Sequence, residues 1–189
     1  MPGDGFESNL FILTGAPGSG KTAILRQLGD EFRCVDEPAR EILAEQRATG
    51  GSGTWDQDAS LFVHLLLQRS IEKHAMARRS EGTVIFDRGI PDCVVYAVRA
   101  GIDPTPSLEA VDVYRYHPHV LFLEPWSDVY ETDEERIMSF EDTVSFSREL
   151  RDVYERSGYT LVDVPRDSIG DRAAFVRMSV ARFGTKGGA

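Results

Sequence analysis

Residues 15 to 22 read Gly15-Ala16-Pro17-Gly18-Ser19-Gly20-Lys21-Thr22, with glycines at the first, fourth and sixth positions of a stretch that ends in Lys-Thr. Glycines at this spacing let successive backbone N–H groups converge on an anion at the start of a helix. In such a loop the lysine reaches the β/γ-phosphates of a nucleoside triphosphate, and the threonine hydroxyl ligates Mg²⁺. The flanks suit that chemistry: Leu10 to Leu13 is an apolar run of strand length, and Ala23 to Leu28 follows at helical spacing. All eight residues are therefore candidate nucleotide-binding positions, with Lys21 also catalytic and Thr22 a metal ligand.

Two further places carry chemistry. Thr83-Val84-Ile85-Phe86-Asp87 is a short buried-strand pattern that ends in an acid, followed by Arg88. Asp87 is the candidate for organising Mg²⁺. Its structural alternative is a helix N-cap, because a helix start follows at Pro91. A cation at position 88 serves a phosphotransferase that must hold an acceptor, whereas a nucleotide switch has no fixed need for it. Glu37 closes a second short strand in Asp36-Glu37-Pro38, where a carboxylate facing the γ-phosphate would take the proton of an acceptor hydroxyl. The alternative for Glu37 is a first-turn helix charge.

These groups need a scaffold that brings strand ends together. Strands are expected at 10–13, 33–36, 83–87, 119–123 and 160–164. Helices are expected at 23–28, 39–47, 56–79, 91–100, 108–114, 133–156 and 168–182. This alternation implies a parallel sheet with helices on both faces and sites at the strand C-termini. In the long helix, Leu61, Phe62, Leu65, Leu66, Ile71 and Ala75 form the expected buried face, while His64 and His74 fall at the surface or boundary. The stretch Thr49-Gly50-Gly51-Ser52-Gly53-Thr54 reads as a flexible connector. His117-Pro118-His119 reads as a turn.

Composition narrows the partners. The 189 residues suit one domain, expected at 9–183 between loose tails at 1–8 and 184–189. A formal net charge of −10 opposes general affinity for nucleic acid or anionic lipid. The two cysteines, Cys34 and Cys93, are too few for a disulfide framework and read as small buried hydrophobes. The first apolar run is too short and too poorly flanked for a signal peptide or membrane span, so a cytoplasmic protein is expected.

Taken together, Gly15 to Thr22, Glu37-Pro38 and Asp87-Arg88 resemble the corresponding pieces of deoxynucleoside and thymidylate kinases. With Glu37 to Arg40, Phe86 to Arg88, Glu124 to Trp126, Thr132 to Arg136, Ser139 to Glu141 and Tyr159 to Arg166, nearly the whole chain resembles the small AAA-type predicted ATPases related to ribosylnicotinamide kinase domains. The resemblance implies a P-loop NTPase three-layer α/β sandwich: a five-stranded parallel sheet, helices on both faces and a helical lid at about 127–156. It implies ATP and Mg²⁺ as cofactors, and Glu37, Arg40 and Arg88 as acceptor-binding residues. It also implies a lid arginine among Arg136, Arg148 and Arg151, with Arg136 the catalytic candidate, and Arg166 stacked on the nucleotide base. An acidic lid entrance, Glu131-Thr132-Asp133-Glu134-Glu135, favours a nucleoside-like or other weakly charged acceptor.

The function expected is a small-molecule kinase. The alternative is a nucleotide-controlled ATPase or binding module acting on a protein or lipid. Its Ras-like form would need an Asn-Lys-x-Asp motif, and Asn9 is the single asparagine. The acceptor and the oligomeric state, a homodimer among the options, are left open.

Overall fold

The structure is a computed structural model and describes residues 8–127 and 138–184. Five strands form one sheet: β1 (Leu10–Gly15), β2 (Arg33–Val35), β3 (Val84–Asp87), β4 (His119–Leu123) and β5 (Thr160–Asp163). Every pairing is parallel and the order is β2-β3-β1-β4-β5. The central strand, Leu-Phe-Ile-Leu-Thr-Gly, is buried along its whole length, as a strand covered on both faces must be.

Among the described residues seven helices cover it: α1 (Lys21–Leu28), α2 (Pro38–Thr49), α3 (Ala59–Ala77), α4 (Ile90–Arg99), α5 (Thr105–Val113), α6 (Phe140–Arg156) and α7 (Ile169–Gly184). Alternate residues of β1 serve opposite layers, because side chains alternate across a strand. Phe11 and Leu13 pack with Ile24 and Leu28 of α1 and Val176 of α7. Leu10 and Ile12 pack with Val94 of α4 and Phe146, Leu150 and Tyr154 of α6. A third cluster joins α2, α3 and α4 through Ile42, Phe62, Leu66 and Cys93.

Register places the chemistry. Leu13 of β1 lies beside Asp87, so the acid is level with the start of the phosphate loop. Val35 lies beside Phe86, which brings the chain at Glu37 alongside Arg88.

Three sequence expectations are corrected. In α3 the buried stripe is Phe62, Val63, Leu66, Ser70, His74 and Ala77, whereas Leu61 and Ala75 are exposed. His74 is thus a core residue rather than a surface one. Its Nε2 meets the Arg115 carbonyl at 3.0 Å, its ring lies against Tyr116, and burial lowers its pKa. Ser70 joins the stripe by donating to the Leu66 carbonyl at 2.7 Å. A reading keyed to apolar side chains passes over polar residues that satisfy themselves internally.

The glycine-rich stretch after α2 is not a loose connector. Gly50 caps α2 in the left-handed conformation, Gly51 N–H donates to the Gln46 carbonyl, and Gly53 N–H donates to Gln46 Oε1 at 3.0 Å. Residues 140–156 form α6, the helical part of the segment expected as a lid at about 127–156, and its Phe146, Leu150 and Tyr154 pack in the core.

Candidate active site

The phosphate loop sits at the C-terminal end of β1, and two of its glycines are required by geometry. Gly15 has φ of 145°, and a Cβ there would lie 2.2 Å from the Leu123 carbonyl oxygen. Gly20, the N-cap of α1, has φ of 91°, and its Cβ would meet Arg172 Nη1 at 2.9 Å. Arg172, buried on α7, donates from Nη2 to the Ser19 carbonyl at 2.8 Å and so braces the loop from behind.

Lys21 is buried and folds back over the loop, donating from Nζ to the carbonyls of Gly15 at 2.8 Å and Ala16 at 3.0 Å. Burial, helped by the Arg88 charge, lowers its pKa to about 8. The ammonium therefore caps the carbonyls at the start of the loop.

Beside the loop, Asp87 and Glu37 have opposite electrostatic fates. Asp87 is buried, and its Oδ1 has no hydrogen-bond partner among the described residues. Burial raises its pKa to about 6, against the pull of Lys21. Glu37 is half-buried, but Arg88 and Lys21 outweigh the desolvation and hold its pKa at about 2. Arg88 Nε donates to Glu37 Oε1 at 2.6 Å, and Arg40 Nε donates to Glu37 Oε2 at 3.1 Å. Asp87 does not cap α4. The N-cap there is Gly89, whose N–H donates to Asp92 Oδ2 at 3.1 Å.

A cavity of about 410 Å³ runs from the loop residues Pro17, Gly18, Gly20, Lys21 and Thr22 past Glu37, Arg40 and Arg88. Among the described residues four cations line it, Lys21, Arg26, Arg40 and Arg88, against the single acid Glu37, so the local field is positive in a chain of net charge −10. Its far end is aromatic. Trp55, Phe62 and Tyr96 meet edge to face, with ring centroids 5.9–6.1 Å apart. Ala39 and Leu43 of α2 add apolar wall.

Of the residues expected at the site, Gly15 to Thr22, Glu37, Arg40, Asp87 and Arg88 converge. Arg166 does not line the cavity and donates from Nη2 to the Pro125 carbonyl at 2.9 Å. Arg136 lies outside the described residues. Arg148 is exposed on α6, and Arg151 is engaged by Glu124 at 2.6 Å and Asp163 at 2.5 Å. Trp55, Phe62, Tyr96, Asp92 and Arg172 are not legible in the sequence as site residues. The one hint is Trp55, a large aromatic in a glycine-rich stretch.

Asp87 and Thr22 carry hard oxygen atoms, and Asp87 Oδ1 is an orphaned carboxylate oxygen among the described residues. That donor set fits Mg²⁺, which binds through one or two protein oxygens and keeps several waters.

A glycine-rich loop after the central strand, an acid and arginine closing its neighbour, and the order β2-β3-β1-β4-β5 define the fold of the P-loop kinases. The chain belongs to the AAA_28 family of AAA domains, whose model matches residues 10–172.

Among solved structures, it is similar to a NadR protein in complex with NR (TM-score 0.68, 18% identity), covering 95% of this chain and 52% of that one. The chain thus spans about half the NadR length. It is also similar to shikimate kinase from Acinetobacter baumannii in complex with shikimate (TM-score 0.60, 15% identity, 94% and 95% covered). A third is deoxyadenosine kinase from M. mycoides with products dCMP and dCDP bound (TM-score 0.59, 15% identity, 92% and 98% covered). No curated protein matches the chain. No helix among the described residues is long and apolar enough to cross a membrane.

Proposed function

We propose that the protein is a Mg²⁺- and ATP-dependent small-molecule kinase that transfers the γ-phosphoryl group to a hydroxyl of a nucleoside-like or similarly small acceptor. The observation that carries this reading is the continuity of the cavity. One chamber joins the phosphate loop, the Glu37–Arg88 pair and an aromatic pocket of Trp55, Phe62 and Tyr96. A nucleotide switch that only binds and hydrolyses needs no second chamber beyond the γ-phosphate.

In this reading the loop N–H groups and Lys21 hold the triphosphate, while Thr22 and Asp87 would hold Mg²⁺, which would supply neutralising charge to the phosphate oxygens. The aromatic rings receive a planar acceptor group, and Arg88 with Arg40 orients it. The acceptor oxygen forms the new bond to the γ-phosphorus as ADP leaves, and its proton passes to Glu37 or Asp87. Glu37, with a pKa near 2, is ionised throughout the neutral range but is a weak base. Such a carboxylate suits a loose transition state, in which the hydroxyl is oriented first and deprotonated late. Deoxyadenosine, thymidylate and shikimate kinases among the similar structures support the reaction class. The test is ADP release from ATP measured with and without candidate hydroxyl acceptors, including nucleosides, vitamins and sugars.

A further inference from the structure

Arg88 is the one non-glycine residue with positive φ among the described residues, at 71°. That region disfavours any side chain with a Cβ and persists only where surroundings over-determine it. Its own N–H donates to the Leu13 carbonyl at 3.1 Å, so the strained backbone is tied to β1. The guanidinium is then held from two sides: Nε on Glu37, and Nη1 on Asp92 Oδ1 at 2.9 Å.

Asp92 lies outside the cavity lining and is 2% exposed. Its carboxylate nevertheless receives four donors from three places in the fold: β1, the β3–α4 junction and α6. Oδ1 accepts from Arg88 and from the Thr14 hydroxyl of β1 at 2.9 Å. Oδ2 accepts from Gly89 N–H at 3.1 Å and from the Tyr154 hydroxyl of α6 at 2.5 Å. A capping role explains the Gly89 contact alone. The other three fix the carboxylate against rotation about its bond to Cβ, and Arg88 is the only one of them that reaches the cavity.

We infer that Asp92 is a positioning residue for the acceptor site, clamped by Thr14 and Tyr154 so that it keeps the Arg88 guanidinium bridged to Glu37. The bridge leaves Arg88 Nη2 without a partner among the described residues, as the donor available to an acceptor oxygen. The importance of the arrangement for turnover rests on the kinase reading; the arrangement itself does not.

Two effects of removing Asp92 oppose each other at Glu37, and their sign decides the matter. Glu37 faces Arg88, Lys21 of α1, Arg40 of α2 and the like charge of Asp87 at the end of β3, with Tyr96 and Asp92 on α4. If Arg88 stays in place without Asp92, a nearby negative charge has vanished and Glu37 remains at or below its pKa of about 2. If Asp92 positions Arg88, the guanidinium is released and Glu37 rises toward the ordinary glutamate value of about 4.3.

The experiment is a carboxyl ¹³C NMR titration of the full chain carrying labelled glutamate, with the Glu37 signal identified from Glu37→Gln. In the parent, no Glu37 inflection is expected above about pH 3. Asp92→Ala should bring one near pH 4, or about that value. Should that variant not fold, Tyr154→Phe keeps the ring in the core and removes one of the four donors. It should raise the Glu37 pKa by a smaller, measurable amount, and it should add no further rise once Arg88→Met has removed the guanidinium. A Glu37 signal unmoved in folded Asp92→Ala and in Tyr154→Phe overturns the inference. So does a Tyr154→Phe shift of undiminished size in the Arg88→Met background, because the effect would then bypass the arginine. The titration needs neither nucleotide nor acceptor, so its failure and the failure of the kinase reading are separate results.

Discussion

Glu37 and Arg88 lie 51 residues apart in sequence and meet at 2.6 Å, where the ends of β2 and β3 open into the cavity. The pair places a carboxylate that is ionised across the neutral range and an anchored guanidinium in the cavity that holds both the glycine-rich loop and the aromatic rings. Glu37 alone also reads as a first-turn helix charge, but paired with the buried Arg88 it lines the cavity, where the kinase reading needs a carboxylate.

Glu37→Gln keeps the size of the side chain and removes its charge. Acceptor-dependent transfer should fall by about 10²–10⁴, the usual range for losing a positioned base. Nucleotide affinity measured by calorimetry should stay within a few-fold. Transfer that survives the substitution would move the base role to Asp87.

Asp87 should make the protein without ligand less stable at neutral pH. Its pKa is raised from 3.8 to about 6, so the folded state holds the proton more tightly than the unfolded chain. That contribution is present below the unfolded pKa and lost as pH rises through about 6, at a cost of roughly 2–3 kcal/mol at pH 7. Asp87→Asn should therefore raise Tm at pH 7, with the gain shrinking toward pH 4, while abolishing most Mg²⁺-dependent turnover. A lower Tm at pH 7 would show that Asp87 is a structural acid.

The same groups set the pH range of nucleotide binding. Mg²⁺-dependent ATP affinity should fall as Asp87 takes up its proton below about pH 6, and again as Lys21 loses its own above about pH 8. Binding titrations across pH should show both limbs, and Asp87→Asn should remove the acidic one. Lys21→Ala should weaken triphosphate binding at least about tenfold, equivalent to about 1.4 kcal/mol.

Trp55 is 43% exposed and meets Phe62 and Tyr96 edge to face, so it forms an outer wall of the cavity where the proposed acceptor would sit. Trp55→Ala should raise the acceptor KM about tenfold or more, in keeping with the loss of an aromatic anchor, and leave the KM for ATP little changed. An equal rise in both would place the tryptophan outside the acceptor pocket.

The parts legible in the sequence are those written locally. The phosphate loop lies within eight consecutive residues, and the strands β1, β3 and β4 are short apolar runs ended by turn or polar residues. Asp87 can be found because it closes such a run, and Glu37 because it stands before a proline at the end of the shorter β2. The remainder depends on contacts between distant segments. Tyr154 reaches Asp92 across 62 residues and Arg172 reaches Ser19 across 153, and neither pairing leaves a periodic trace. Trp55 is hidden by its neighbours: three glycines before it suggest freedom, whereas Gln46 fixes their backbone.

The central claim is tested most directly by acceptor-dependent phosphoryl transfer, comparing the parent with Glu37→Gln. ATP, Mg²⁺ and each of a set of nucleosides, vitamins and sugars are incubated with the protein, and ADP and phosphorylated acceptor are quantified together. At least one acceptor should raise ADP release, with the phosphoryl group recovered on that acceptor in equal amount, and Glu37→Gln should lose this transfer while still binding ATP. ADP release that no acceptor changes, yielding free phosphate at the same rate in both proteins, would contradict the kinase account and favour a nucleotide-controlled binding module.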